Sequence, residues 1–192
     1  TVVNNAGIVQ ISLPNEDESG NYLYRVVLKS DGANFDINVG HEYGAGNNEF
    51  YTIDTNLSIN TWYHLAAVRD TSENTWTLYV NGVAKTPFTY INQATGGTLS
   101  ELFIAKNGNS YFDGIIDEVS LFNSAKSSTD ITSIYNSGTP TDLSGESGLI
   151  GYWRNGDTAG TSVYPTINDY STNSNDGTMT NMSSGDIVTD VP

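Results

Sequence analysis

Trp62-Tyr63-His64-Leu65-Ala66-Ala67-Val68-Arg69-Asp70, followed by Thr75-Trp76-Thr77-Leu78-Tyr79-Val80-Asn81-Gly82, is the stretch that decides the fold. Each run is rich in β-branched and aromatic residues, and each ends at turn-forming residues. Asn81-Gly82 supplies two residues that accept positive φ, so the second run predicts a strand entering a tight hairpin. A third run, Phe112-Asp113-Gly114-Ile115-Ile116-Asp117-Glu118-Val119-Ser120-Leu121-Phe122-Asn123, repeats the pattern of a turn followed by a strand.

Working outward, short β-rich runs alternate with Gly, Asn, Ser and Asp clusters. Strands are expected near Ile8–Leu13, Tyr22–Lys29, Phe35–Val39, Glu49–Ile53, Thr61–Arg69, Trp76–Val80, Leu102–Ala105, Ile115–Phe122 and Leu149–Arg154, with a weaker one near Thr178–Met182. Ser30-Asp31-Gly32 and Gly96-Gly97 mark further turns. Period-two alternation puts Tyr22, Tyr24, Val26 and Leu28 on a core face, with Phe35, Ile37 and Val39 inward and Asp36 and Asn38 outward. It groups Trp62, His64, Ala66 and Val68 on one face, and makes the sheets one-sided. One helix is expected over Ser127–Gly138, capped by Ser and Asp at its start and by Gly138 at its end, with Ile131, Ile134 and Tyr135 docking it. The fold class is therefore all-β: a two-sheet antiparallel sandwich, or jelly roll, with one short capping helix.

Composition bounds the function. A chain of 192 residues with 37% hydrophobic and 11% aromatic content can bury a sizeable all-β core. Seven Lys and Arg against 22 Asp and Glu give a formal charge of −15, which repels nucleic acid and anionic membranes. Without cysteine there are no disulfides, thiolate metal sites or thiol nucleophiles. No apolar run approaches the roughly 20 residues of a membrane span, so no membrane insertion is expected. The start at Thr1 reads as a piece of something longer.

Asn60-Thr61-Trp62-Tyr63-His64-Leu65-Ala66, Leu78-Tyr79-Val80-Asn81-Gly82, Leu102-Phe103-Ile104-Ala105 and Phe112 through Asn123 with its following helix stand in an order and spacing that resembles a known family. The chain is similar to the laminin-G-like branch of the concanavalin A-like lectin/glucanase superfamily over about Tyr22–Gly138. With its acidic Asn, Thr, Ser and Gly composition the chain also resembles modules of marine phage structural proteins and bacterial surface proteins. The resemblance implies glycan or surface-protein binding, neighbouring modules in a larger chain, an extracellular, cell-surface or virion location, and often calcium at the rim. Family members usually begin with a strand resembling Gly148-Leu149-Ile150-Gly151-Tyr152-Trp153-Arg154 and a loop resembling Asp169–Thr178, which here come last. Residues 1–140 are accordingly read as the sandwich. Residues 141–192 are read as folding back to supply its first strand, because a sandwich without that strand exposes a long edge. The alternative is the start of a next repeat.

No enzyme is expected. A retaining glucanase needs two carboxylates about 5 Å apart, and Glu118 is the lone glutamate in a clear strand interior, with Asp117 on the opposite face. Glu16, Asp17 and Glu18 read as a solvated turn, and His41 and His64 lack a nucleophile setting. Sugar binding needs an exposed aromatic ring flanked by amides, which points to the loop-side Tyr43, Asn47, Tyr51, Tyr90, Asn109 and Tyr111, with Trp62, Trp76 and Trp153 assigned to packing. Calcium takes about six to eight oxygen ligands. Asp169, Asn175 and Asp176 concentrate such oxygens, the resemblance brings Asp117 toward them, and Asp113 with Asn107 forms a second candidate. The leading reading is a non-catalytic carbohydrate- or surface-binding module. The alternatives are a structural decoration domain and, more weakly, a glycan-degrading enzyme.

Overall fold

A computed structural model describes residues 6–12, 22–31, 34–44, 47–92, 101–155 and 163–188. The Glu16–Glu18 cluster, Gly32 and the Gly96-Gly97 turn lie outside these. The chain is mostly β with several antiparallel sheets and one short helix. It divides into two compact units, Thr1–Gly114 and Ile115–Pro192.

The first unit is a sandwich. Its larger sheet has five antiparallel strands in the order β4-β3-β2-β1-β9, from β1 (Gly7–Ser12), β2 (Tyr22–Asp31), β3 (Asn34–Gly44), β4 (Asn47–Leu57) and β9 (Glu101–Ile104). The smaller sheet joins β5 (Leu65–Asp70), β6 (Thr75–Val80) and β7 (Val83–Ala84), with β8 (Phe88–Thr89) also paired to β6. A small hairpin, β10 (Lys106–Asn107) and β11 (Ser110–Tyr111), follows β9. Phe35, Ile37 and Leu57 of the larger sheet cluster with Leu78 of the smaller one, and Val26, Leu28, Leu65 and Ala67 pack around them. This is the inter-sheet core that alternation assigned to Tyr24, Val26, Leu28, Phe35, Ile37 and Val39.

Three expectations need correcting. The larger sheet is not one-sided: Val27, Gln10 and Asn38, on the face opposite this core, are all buried. The phase read into residues 62–68 is also reversed. Tyr63, Leu65 and Ala67 face the core, because β5 starts only at Leu65 and the backbone before it is irregular. Trp62, expected to pack, is 37% exposed. The Asn81-Gly82 hairpin is as expected, with φ of 49° and 74°, and the Asn81 side chain accepts the His64 N–H at 2.9 Å.

In the second unit β12 (Val119–Phe122) pairs antiparallel with β13 (Leu149–Trp153), and β14 (Thr166–Ile167) pairs with β15 (Gly177–Thr178). Trp153 also bridges Asp169, so the 169 segment lies beside β13. Leu143, Leu149 and Tyr152 form the core, with Phe122, Ile134 and Tyr170 against it. Helix α1 (Ser128–Tyr135) starts at a capping box in which Ser127 and Asp130 satisfy each other's backbone N–H. It ends at Asn136, in the left-handed region at φ 43°, two residues before the expected Gly138. Glu118 lies before β12 rather than inside a strand, with φ 50°.

Candidate functional site

Sequence placed six sugar-binding candidates on loops, and the structure sorts them into three groups. Tyr43 and Asn47 flank the β3–β4 turn, and Tyr51 follows along β4. Asn109 and Tyr111 sit at the β10–β11 hairpin, which packs beside β1. Because β4 and β1 are three strands apart in the sheet, these two groups are separated by about 14 Å at least and cannot hold one sugar ring. Tyr90 is not a surface residue. It is 1% exposed in a core cluster with Val39 and Trp76, its N–H donates to the Asn74 carbonyl and its hydroxyl to that of Asp70.

What gathers chemistry is the edge where β4 of one sheet meets β8 of the other. The Tyr51 ring lies on the Phe88 ring with centroids 3.9 Å apart and planes 30° apart, yet Tyr51 stays 38% exposed. Phe88 is fixed from behind: it pairs across the ladder with Trp76 and packs on the Val39–Trp76–Tyr90 cluster. Two residues before Tyr51, the Glu49 carboxylate accepts the N–H groups of Ile91 and Asn92 and the Asn92 side-chain amide, at 2.9, 3.2 and 2.8 Å. The segment after β8 is therefore tied to β4, and the aromatic pair is held between them.

Under this edge lies a feature sequence reasoning passed over. His41 is fully buried; its Nε2–H donates to the Asn92 carbonyl (2.8 Å) and its Nδ1 accepts the Trp76 indole N–H (3.0 Å). Tyr90 meets it edge-on at 4.9 Å. Both nitrogens are used, which fixes a neutral imidazole. Burial lowers its pKa and Arg69 adds to this, against the Asn92 carbonyl and the Glu49 charge, which raise it. His64 is likewise lowered by burial. Both groups remain neutral in the fold at a pH where the unfolded chain binds protons, so their stabilisation is complete above about pH 6.5 and is lost as the pH falls through the folded-state values. The urea midpoint is expected to be flat above neutrality and to decline below about pH 6.5, less steeply in His64→Gln. A midpoint that stays level from neutrality into the acid range contradicts this.

The metal candidates resolve differently. Asp169, Asn175 and Asp176 do come together, but around a saturated carboxylate. Asp169 Oδ1 accepts the N–H groups of Tyr152 and Ser171, and Oδ2 accepts the Ser171 hydroxyl and the Asn175 N–H, all within 2.8–2.9 Å. Asp176 Oδ1 in turn accepts the Asp169 N–H at 2.9 Å. Burial alone would raise the Asp169 pKa, yet the four donated bonds outweigh it and hold the carboxyl below its ordinary value. With two donors on each oxygen, the Asp169 carboxylate is already satisfied by the protein's own N–H and hydroxyl groups. Asp117 accepts its neighbour's Glu118 N–H and lies two residues before β12, outside the ladder that joins Val119 to Trp153 and Trp153 to Asp169. Asp113 is exposed beyond β11, and Asn107 pairs with Ser110. Among the described residues no group of three or more His, Cys, Asp or Glu is placed to hold a metal ion.

The remaining charged cluster is internal to the second unit. The buried Tyr152 hydroxyl donates to Glu118, whose other oxygen meets Arg154 Nε at 3.1 Å. Burial and then the Glu118 carboxylate hold that hydroxyl protonated far above its usual range.

Residues 2–132 match the Laminin_G_3 family model, described as concanavalin A-like lectin/glucanases superfamily. Among solved structures, the chain is similar to one described as a putative carbohydrate binding protein from Bacteroides ovatus ATCC 8483. The TM-score is 0.67 and the identity 20%, with 93% of this chain and 48% of that one covered. The chain thus spans about half the length of that protein. A second is an S-layer domain-containing protein (residues 221–444) from Clostridium thermocellum ATCC 27405, at 20% identity over 69% of this chain and 64% of that one. Its TM-score is 0.33. No protein of curated function matches the chain.

Proposed function

Because this chain belongs to the concanavalin A-like lectin/glucanase superfamily, we propose that it is a non-catalytic carbohydrate-binding module that takes its ligand at the Tyr51–Phe88 edge, at a cell surface or outside the cell. The observation that carries this reading is the Tyr51 ring, rigidly backed by Phe88 and still open to solvent. A pyranose presents an apolar face that stacks on such a ring, while its hydroxyls need amide and carboxylate partners nearby. Asn47, on the same face of β4 as Tyr51, is exposed and lies four residues along the strand, about 13 Å away and within the span of a short oligosaccharide. The Bacteroides ovatus protein, to which this fold is similar, is described as carbohydrate binding and agrees in kind.

The charge environment argues against glycoside hydrolysis. A general acid needs a carboxyl pushed up by its surroundings, whereas Asp70, Asp130, Asp142 and Asp169 are all held down by donated hydrogen bonds. Both His41 nitrogens are committed inside the core. No described helix is long and apolar enough to cross a membrane.

The test is a glycan array and titration calorimetry with wild type and Tyr51→Ala. Losing one aromatic stacking face is worth about 1–2 kcal/mol, so affinity is expected to fall roughly 5- to 30-fold. Tyr51→Phe retains most of it, and neither protein releases reducing sugar. A glycan bound equally well by wild type and Tyr51→Ala moves the site elsewhere, and no glycan binding at all favours a purely structural module.

A further inference from the structure

The chain has three tryptophans, and one of them is unlike the others. Trp76 and Trp153 are buried, and each indole N–H is satisfied, one by His41 Nδ1 and the other by the Asn175 carbonyl, both at 3.0 Å. Trp62 is 37% exposed, and its indole N–H has no partner among the described residues. Sequence assigned it to packing, and the fold leaves it without a packing role to match.

The backbone around it is nonetheless held on both sides. Tyr63 turns its ring into the core between the sheets, and its hydroxyl accepts the Ser58 N–H at 3.1 Å. His64 is tied to Asn81 twice: its carbonyl accepts the Asn81 N–H and its N–H donates to Asn81 Oδ1, both at 2.9 Å. Before Trp62, the Thr61 hydroxyl donates to the Ile59 carbonyl at 3.3 Å across a turn in which Asn60 takes φ of 56°. A ring carried on so fixed a backbone loses little backbone freedom when a ligand lies on it. Polar partners stand beside it. Asn60 and Thr61 are exposed, and Asn81 uses its Oδ1 on His64 while its amide nitrogen makes no hydrogen bond among the described residues. An open indole face flanked by amides is the chemistry that takes the apolar face of a pyranose together with its hydroxyls.

This place is separate from the Tyr51 edge. Phe88, against which Tyr51 lies, pairs with Trp76, whereas Leu65 pairs with Val80, four residues further along β6, and Trp62 precedes Leu65. The two places therefore lie about 13 Å or more apart along the sandwich, too far for one sugar ring to touch both.

We propose that Trp62 is a second sugar-stacking platform, with Asn60 and Asn81 as its amide partners, so that one copy of the module holds glycan at two places. This inference rests on the carbohydrate reading of the module but not on the Tyr51 edge itself. On a surface coated with glycan the two holds act together, and such avidity exceeds either hold alone by about 100-fold or more.

The experiment is an NMR titration of the whole chain, read at the three indole N–H resonances, of which the Trp62 signal is the one missing from Trp62→Phe. The probes are cellotriose, xylotriose and mannotriose, each taken to about 20 mM, enough to fill a millimolar site. The expected result is a saturable shift of the Trp62 resonance with at least one triose, in wild type and in Tyr51→Ala alike. On beads carrying that sugar, Trp62→Ala is expected to be retained at least about 10-fold less tightly than wild type, and Trp62→Phe to recover most of the difference. A triose whose binding is lost in Tyr51→Ala and which leaves the Trp62 resonance unmoved overturns the second platform and leaves the first standing. A shift at Trp62 with overall binding no weaker in Tyr51→Ala removes the Tyr51 site and supports this one. No shift at Trp62 with any of the three probes overturns the proposal.

Discussion

Replacing Trp76 by alanine is expected to cost the first unit about 4–8 kcal/mol, a large share of the stability of an ordinary domain. Two losses combine. The side chain fills the Val39–Trp76–Tyr90 cluster between the sheets, and removing a buried tryptophan typically costs about 3–5 kcal/mol. Its indole N–H is also the partner of His41 Nδ1, and a buried acceptor left without its donor adds about 1–3 kcal/mol. Trp76→Phe separates them, since it retains most of the apolar bulk and removes the donor. We expect it to shift the urea midpoint by the equivalent of about 1–3 kcal/mol and to disturb the pH dependence assigned to His41. If Trp76→Phe is as stable as wild type at every pH, the His41–Trp76 bond contributes nothing and the imidazole's neutrality has another source.

Asp169→Ala is the second large effect. The substitution strands four donors, and three of them, the N–H groups of Tyr152 and Ser171 and the Ser171 hydroxyl, belong to buried residues. Loss of hydrogen bonds to a charged acceptor, with buried donors unsatisfied, is expected to cost about 3–5 kcal/mol. Asp169→Asn keeps one accepting oxygen and turns an NH2 toward the other two donors, for about 2 kcal/mol. Because the carboxyl titrates below its ordinary value, its stabilisation is present above about pH 4 and lost as the pH falls through the folded-state value, so the variants and wild type converge in strong acid. Amide exchange gives a sharper readout. Protection of Val119–Phe122 is expected to fall together with that of Leu149–Trp153, since the two strands pair, as required if residues 141–192 complete the fold rather than begin another. Independent loss would separate them. Calcium is expected to leave the wild-type midpoint unchanged; a rise abolished in Asp169→Asn would reinstate a metal at this loop.

Much of the architecture was readable where the signal is local. Asn81-Gly82 announces its turn because both residues must take positive φ, and Ser127 with Asp130 announces the helix start because the two side chains cap each other's backbone. Alternation placed Tyr24, Val26, Leu28, Ile37 and Val39 correctly, since a paired strand has no choice about its faces. It failed at Trp62–Val68, where the chain is extended but unpaired until Leu65, and a period cannot be phased from residues outside the ladder. It failed at Asn38, because a polar residue in a strand says nothing about what covers it. Tyr51 and Tyr90 look alike in sequence, each a tyrosine near polar residues. They are told apart by partners far along the chain: Phe88 for one, Asp70 and Asn74 for the other. Asp169 shows the same limit. A run of oxygens reads as a cation site until the amides of residues 152, 171 and 175 are seen turned inward on it.

The inward commitment of the basic side chains has a consequence for crowds of this molecule. In the first unit Arg25 lies over the Phe50 ring and Arg69 over Tyr24 and Tyr90. In the second, Arg154 is paired to Glu118, and Lys126 reaches the Ser147 carbonyl and the Phe122 ring. What each copy shows its neighbours is thus overwhelmingly one sign of charge. Two copies brought together where ions are scarce would repel one another over tens of ångströms, and in brine of about 1 M that reach shrinks to roughly 3 Å. How closely such copies can approach is then set by the salt of the surrounding water.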